Sequence, residues 1–244
     1  SRTISYTMTI LGSILEQAVK DDIIPKNYMK NIDRPKQVKV RQMVTLSVDE
    51  VKDFLSNISN TEHHALFKLA FATGMRRSEL LGLRWSDIDF KKSTISISQT
   101  ALKIGSTAVI SNTTKTTSSK RIIAIDTETL QELMKHKTVI DKRRIKTMNW
   151  INNNLVFPGI KGAPRCPDEV SKLCKKYASL IGKPAFTMHG TRHTHATLLI
   201  ENGANMKAIQ ERLGHASFQE TMDTYSHVTP KMEDDIVERI SKIF

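Results

Sequence analysis

Between Thr94 and Ile125 the sequence changes its rhythm, and that change most narrows the folds open to it. Thr94-Ile95-Ser96-Ile97-Ser98 alternates polar and apolar side chains, and residues 103–110 and 121–125 are rich in β-forming types. A polar, Ser/Thr-rich loop over 111–120 separates the last two runs. Outside this region and a linker near the start, apolar residues recur at helical spacing. Ile4, Met8, Leu11, Leu15, Ala18 and Val19 predict a helix over 1–24 that Pro25 closes, followed by an extended linker over 25–42. Ser47 and Glu50 make a capping-box pattern ahead of Val51, Phe54, Leu55 and Ile58. A second helix runs through His64, Leu66, Leu69 and Ala70 to Gly74, and Glu79, Leu80 and Leu81 sit in a short one after it.

After Asp126 everything reads as helical. Helices are expected over 168–180, 189–202 and 206–213, ended by Gly182, Gly203 and Gly214. Ser217 and Glu220 make a further capping box opening a helix that contains Tyr225, and 231–244 is a last amphipathic segment. The expected fold is therefore α+β, predominantly helical, with one small antiparallel sheet. A lone amphipathic helix cannot bury its own apolar face. Residues 1–42 thus read as the end of a helical domain plus a linker, and 43–244 as the main domain.

Composition limits the function classes. Lys and Arg number 37 against 25 Asp and Glu, a net charge of +12, which favours a polyanionic partner, most often nucleic acid. No run approaches the ~20 apolar residues a membrane helix needs, and residues 1–20 mix polar and apolar types unlike a signal peptide. Cys166 and Cys174 are too few for a disulfide framework and read as reduced thiols.

Four segments carry the chemistry: Thr73-Gly-Met-Arg76-Arg-Ser-Glu79-Leu, Thr114-Lys115-Thr116, His189-Gly-Thr-Arg192-His193, and Leu213-Gly-His215 followed by Tyr225. In this order they resemble the signature of the tyrosine recombinase (phage integrase) family: Arg, Lys, His-x-x-Arg, His or Trp, and Tyr. Each short motif is weak alone and the ordered set is specific; the resemblance spans roughly residues 45–228.

The resemblance implies that Arg76 and Arg192 clamp the oxygens of a DNA phosphate, that Lys115 is the general acid, and that His189 and His215 donate to the phosphate or handle the nucleophile's proton. Tyr225 is then the nucleophile, forming a 3′-phosphotyrosine, and Glu79 supports the site. These residue types suit the task. Guanidinium groups make bidentate hydrogen bonds to anions and stay charged at any working pH. Phosphoryl transfer is catalysed mainly by positioning and charge stabilisation. The resemblance further implies no cofactor or metal, double-stranded DNA with specific attachment sites as partner, a tetramer on DNA, and a cytoplasmic, bacterial or phage-encoded protein. Residues 1–42 would close a helical core-binding (SAM-like) domain, full-length members would carry an arm-binding domain in addition, and residues 231–244 would dock on a neighbouring subunit.

Plainer readings stand beside these. Arg76 and Arg77 also suit a solvated helix start, and Lys120, next to the strand, competes with Lys115. His189, His193 and His195 raise a zinc site, but no Cys or acidic side chain completes one, and Arg192 would repel a cation. His193 and His195 read better as core or supporting residues, and His227 as structural. Thr191 stands where the family more often has an apolar residue, which bears on packing. Tyr6 and Tyr177 read as buried tyrosines. Two rival functions remain: a non-enzymatic helix-turn-helix DNA binder built on 205–225, and a metal-dependent nuclease using the histidines.

Overall fold

A computed structural model describes residues 2–33, 43–105, 107–111 and 121–214. Lys115, Lys120, His215, Tyr225, His227, the Ser217/Glu220 capping box and the segment 231–244 lie outside the described residues. The chain divides into two compact units, 1–42 and 43–244.

In the first unit, α1 (Arg2–Lys20) ends earlier than its periodicity predicts. Asp22 adopts a left-handed conformation (φ 54°), Asp22 N–H donates to Val19 O, and Ile23 N–H reaches back to Ala18 O. That pair of bonds satisfies the last carbonyls and closes the helix well before Pro25. The expected extended linker also contains a short 3-10 turn, Tyr28–Asn31. It forms because Asn27 caps it through Met29 N–H while its amide donates to Gly12 O (2.9 Å) and Glu16 Oε2 (2.8 Å). Tyr6, read as buried, is 68% exposed, and Ile4, Ile10 and Ile14 of the same helix are exposed too.

The second unit is built around α3 (Thr61–Thr73). Ala65, Leu66, Phe67, Leu69, Ala70 and Phe71 are all buried, so most of the helix surface lies inside, while Glu62, His64 and Lys68 pair with charged side chains on a narrower polar side. It packs against α2 (Val48–Ser56), α5 (Thr127–Lys146) and α7 (Met188–Glu201). Edge-on contacts of Phe54 with Phe67, Phe71, Tyr177 and Phe186, at 5.1–6.1 Å between ring centres, fill the space between α2, α3 and α6 (Pro167–Leu180). The Ser47/Glu50 capping box opens α2 as expected.

The β region forms two sheets instead of one. β1 (Ile88–Asp89), β2 (Thr94–Ile97) and β5 (Arg121–Ala124) make an antiparallel sheet in the order β1-β2-β5. β3 (Thr100–Ile104) and β4 (Thr107–Ser111) form a separate hairpin around Gly105, whose φ of 60° breaks the run read as continuous. β3 is drawn instead against α4 (Arg77–Gly82), where Gln99 donates to Gly82 O. A Cβ on Gly82 would stand 2.8 Å from the Thr100 backbone, so only glycine permits that approach.

Residues 147–166 are not helical as expected. Asn149 and Asn154 take left-handed conformations, and Val156 N–H donates to Leu83 O while Trp85 N–H donates to Asn154 O. This distant pairing supplies the backbone partners that a helix would otherwise provide.

α7 and α8 (Met206–Leu213) share a small core of Ala196, Ile200, Ile209 and Leu213. His195 joins them to α3. Its Nδ1–H donates to Phe71 O (2.8 Å), and its Nε2 accepts from Arg212 Nε (3.1 Å). Burial, with the Arg212 charge beside it, pushes the imidazole down from 6.5 to about 4. The unfolded chain therefore binds this proton more readily than the folded one. The contribution is intact above pH 6.5 and is lost as pH falls towards 4. A shift of this size corresponds to about 3 kcal/mol. Urea unfolding of wild type and His195→Asn as a function of pH should show wild-type stability declining more steeply between those pH values, by about that amount. Parallel curves would show that His195 does not titrate in this way.

Candidate active site

The site is organised by two helix C-termini that leave carbonyls without intrahelical partners. α3 closes on Gly74 (φ 63°) and α8 on Gly214 (φ 66°), both left-handed caps. A Cβ on Gly74 would stand 2.7 Å from His195 and 2.8 Å from Leu213, so the bare glycine lets the three segments meet.

Arginines from separate parts of the chain fill the open carbonyls. At α3, Arg192 Nη1 donates to Gly74 O (2.9 Å) and Arg212 Nη2 to Ala72 O (3.0 Å). At α8, Arg121 Nε donates to Arg212 O (2.7 Å), Arg192 Nη2 to Leu213 O (2.8 Å) and Arg76 Nη2 to Gly214 O (3.0 Å). Cations are favoured at helix C-termini, and here three guanidinium groups sit on three consecutive carbonyls. Arg76 and Arg192, distant in sequence, are thereby neighbours.

Glu79 is the counter-charge. It lies in the first turn of α4, is 3% exposed, and accepts from Arg76 N–H (2.8 Å) and Arg76 Nη1 (3.0 Å). Arg121 grips the same carboxylate with Nη1 (3.1 Å) and Nη2 (2.9 Å). Burial pushes the Glu79 carboxyl up, but the hydrogen bonds and charge of Arg121, with those of Arg76, outweigh it and hold the group below its usual range. Arg77 points elsewhere, donating to Pro167 O and the Ser171 hydroxyl. The two adjacent arginines thus have different work, and neither is a simply solvated side chain.

A cleft of about 400 Å³ opens beside this joint, lined by Arg76, Ser78, Thr187, His189 and Arg192 among others. His189 is exposed in the first turn of α7, whose N-cap Thr187 accepts from Gly190 N–H. Its ring meets His193 edge-on at 4.5 Å. Thr191 is fully buried with its hydroxyl donating to Met188 O (2.9 Å), so the polar residue costs the packing little. The structure thus gathers Arg76, Glu79, His189 and Arg192 of the expected set.

Two basic residues of the joint had no assigned role in the sequence reading. Arg121 counted only as the start of a strand, and Arg212 as part of a short helix. The one available signal was a basic residue beside each motif, in Arg121-Ile-Ile and Arg212-Leu-Gly-His.

Both ring nitrogens of His195 are committed, one to Phe71 O and one to Arg212, so this ring is not available to a metal in this arrangement. Among the described residues no group of three His, Cys, Asp or Glu side chains could hold a metal ion. Cys166 and Cys174 are unpaired thiols, Cys174 buried and pushed up to about 12. Among the described residues no helix is long and apolar enough to cross a membrane.

The sequence model of the phage integrase family matches residues 45–232. The integrase of Staphylococcus phage L54a is 30% identical, over 98% of this chain and 71% of that protein. A tyrosine recombinase XerC-like protein of Caldanaerobacter subterraneus subsp. tengcongensis is 29% identical, over the whole of this chain and 67% of its own length. Among solved structures, the Tn1549 transposon integrase in complex with transposon right end DNA superposes with a TM-score of 0.77 at 26% identity, over 98% of this chain and 79% of that one. A lambda integrase dimer bound to a core site shares the fold with a TM-score of 0.60 at 18% identity, over 90% of this chain and 58% of that one. With the ordered motifs, the arginine joint and these likenesses in agreement, the chain belongs to the phage integrase family, the tyrosine recombinases.

Proposed function

We propose that this chain performs site-specific recombination of double-stranded DNA, as an integrase of a phage or mobile element, in the cytoplasm of a bacterial cell. The observation that carries the proposal is the placement of Arg76 and Arg192 on consecutive carbonyls, Gly214 O and Leu213 O, beside a cleft that His189 also lines. A phosphate oxygen is a charged acceptor and a stronger one than a neutral carbonyl. Two guanidinium groups already held together can move onto one phosphodiester with little loss of side-chain freedom.

The chemistry follows from that clamp. The Tyr225 phenolic oxygen attacks the phosphorus and the bond to the 5′ oxygen breaks. Lys115 gives the departing 5′ oxygen its proton. His189 and His215 hydrogen-bond the phosphate or take the phenol's proton, and Arg76 and Arg192 stabilise charge on the non-bridging oxygens. The strand is held as a 3′-phosphotyrosine. Attack by a 5′-hydroxyl from another strand reverses each step, so the bond energy is kept and no nucleotide triphosphate is consumed. Lys115 is assigned over Lys120 because it lies in the Thr-Lys-Thr segment. Residues 1–42 are read as the end of a core-binding domain and 43–244 as the catalytic domain, with assembly into a tetramer on DNA through contacts that include 231–244.

Neither rival explains the joint. A DNA binder that makes no covalent bond has no need of paired guanidinium groups around one buried carboxylate. A metallonuclease built on the histidine cluster would lose His195, whose ring is fully hydrogen-bonded.

The test is covalent capture. Incubated with EDTA and a nicked attachment-site duplex, the wild-type protein should form a protein–DNA adduct that survives denaturing electrophoresis, with mass spectrometry placing the nucleotide on Tyr225. Tyr225→Phe should form none while still binding the duplex, and in a native gel the paired sites should run with four protein chains. Binding without an adduct would leave the DNA-binder reading, and cleavage that EDTA abolishes would leave the nuclease.

A further inference from the structure

We propose that Arg121 is a positioning residue for strand cleavage: by bracing Glu79 and the end of α8 together, it sets where the Arg76 guanidinium stands. The inference rests on the function proposed above and extends it to a residue outside the family signature.

Among the described residues, Arg121 uses its guanidinium on two different segments. Nη1 and Nη2 take the two oxygens of Glu79 at 3.1 and 2.9 Å, and Nε takes Arg212 O at 2.7 Å. Its side chain is 7% exposed, so these are interior contacts. The same Glu79 oxygens accept from the Arg76 backbone and guanidinium, so each carboxylate oxygen carries one donor from Arg76 and one from Arg121. Arg76, by contrast, is 34% exposed and faces the cleft.

This division of labour has a consequence. A buried carboxylate demands full compensation. With Arg121 in place, Glu79 needs only part of the Arg76 guanidinium, and Nη2 is left for the rim at Gly214 O. Without Arg121, Glu79 would draw Arg76 wholly onto itself and away from a phosphate in the cleft. Arg121 also opens β5, directly after the segment that carries Lys115, and pairs with Ile97 of β2. One side chain therefore ties the strand following the lysine, the carboxylate behind Arg76 and the helix end preceding His215. A lysine could not do this, because a single ammonium cannot span both carboxylate oxygens and a carbonyl in a fixed plane.

Single-turnover adduct formation on a nicked site, with DNA affinity measured separately, tests the proposal. A displacement of the order of 1 Å at a reacting group lowers rates about 100-fold. Arg121→Gln should slow adduct formation by about that factor while the final adduct yield and the DNA affinity stay near wild type, with Arg121→Lys in between. Adding Glu79→Gln to Arg121→Gln should restore part of the lost rate, because the carboxylate that captures Arg76 is then uncharged. Wild-type rates in both Arg121 variants would overturn the proposal. So would a loss of affinity and final yield in step with a loss of folded protein in Arg121→Lys, which marks a purely structural role. If Arg121→Gln does not fold, Arg121→Lys keeps the charge and decides on the same criteria. Absence of an adduct in the wild-type protein would instead overturn the function, and this inference with it.

Discussion

The C-termini of α3 and α8 end close together, and their open carbonyls need donors. That requirement governs the rest of the structure. Water could meet it at a surface, but here Arg76, Arg121, Arg192 and Arg212 do so, each from a different element or loop boundary. Backbone carbonyls thus gather positive charge that would otherwise repel itself. Among the described residues, Glu79 faces Arg76 and Arg121 and Asp126 acts by charge on Arg212, so two carboxylates among four guanidinium groups leave a cationic joint. Such a joint is stable only if an anion or a set of carbonyl dipoles is always present, and a DNA backbone offers the anion.

Pre-organisation is the catalytic benefit. Arg192 is 3% exposed and is held beside the cleft by bonds to Gly74 O and Leu213 O, so it needs only a short shift to reach a substrate. His195 contributes at one remove. Its neutral ring, locked between Phe71 O and the Arg212 side chain, orients the residue whose own carbonyl holds Arg121. The aromatic cluster around Phe54 and the largely buried α3 back that scaffold with a packed core.

Local rules in the sequence reached a good part of this. Gly74, Gly182, Gly203 and Gly214 were read as helix stops, and all four have positive φ. The Ser47/Glu50 capping box needs only neighbours in sequence, and it formed. What local rules could not reach depends on distant partners. Residues 147–166 give up a helix because 154–156 pair with 83–85, and no periodicity encodes that. The hairpin β3–β4 leaves the main sheet because Gly82 admits a backbone on α4. Arg121 and Arg212 passed unremarked because a lone arginine has no pattern, and only the fold shows which carbonyls it meets. The candidate Arg76, His189 and Arg192 were readable because their spacing and order form a set, whereas the company they keep was not.

The central claim is that two guanidinium groups neutralise one phosphate in the cleft. Replacing the scissile phosphate of the nicked duplex by an uncharged methylphosphonate tests it most directly. On normal DNA, Arg192→Ala should cut far more slowly than wild type, by about ten- to a hundred-fold for each charge-assisted hydrogen bond lost. On the neutral substrate that deficit should largely vanish, since there is no longer a charge to balance. An undiminished deficit on the neutral substrate would contradict the account and place Arg192 elsewhere than on the phosphate.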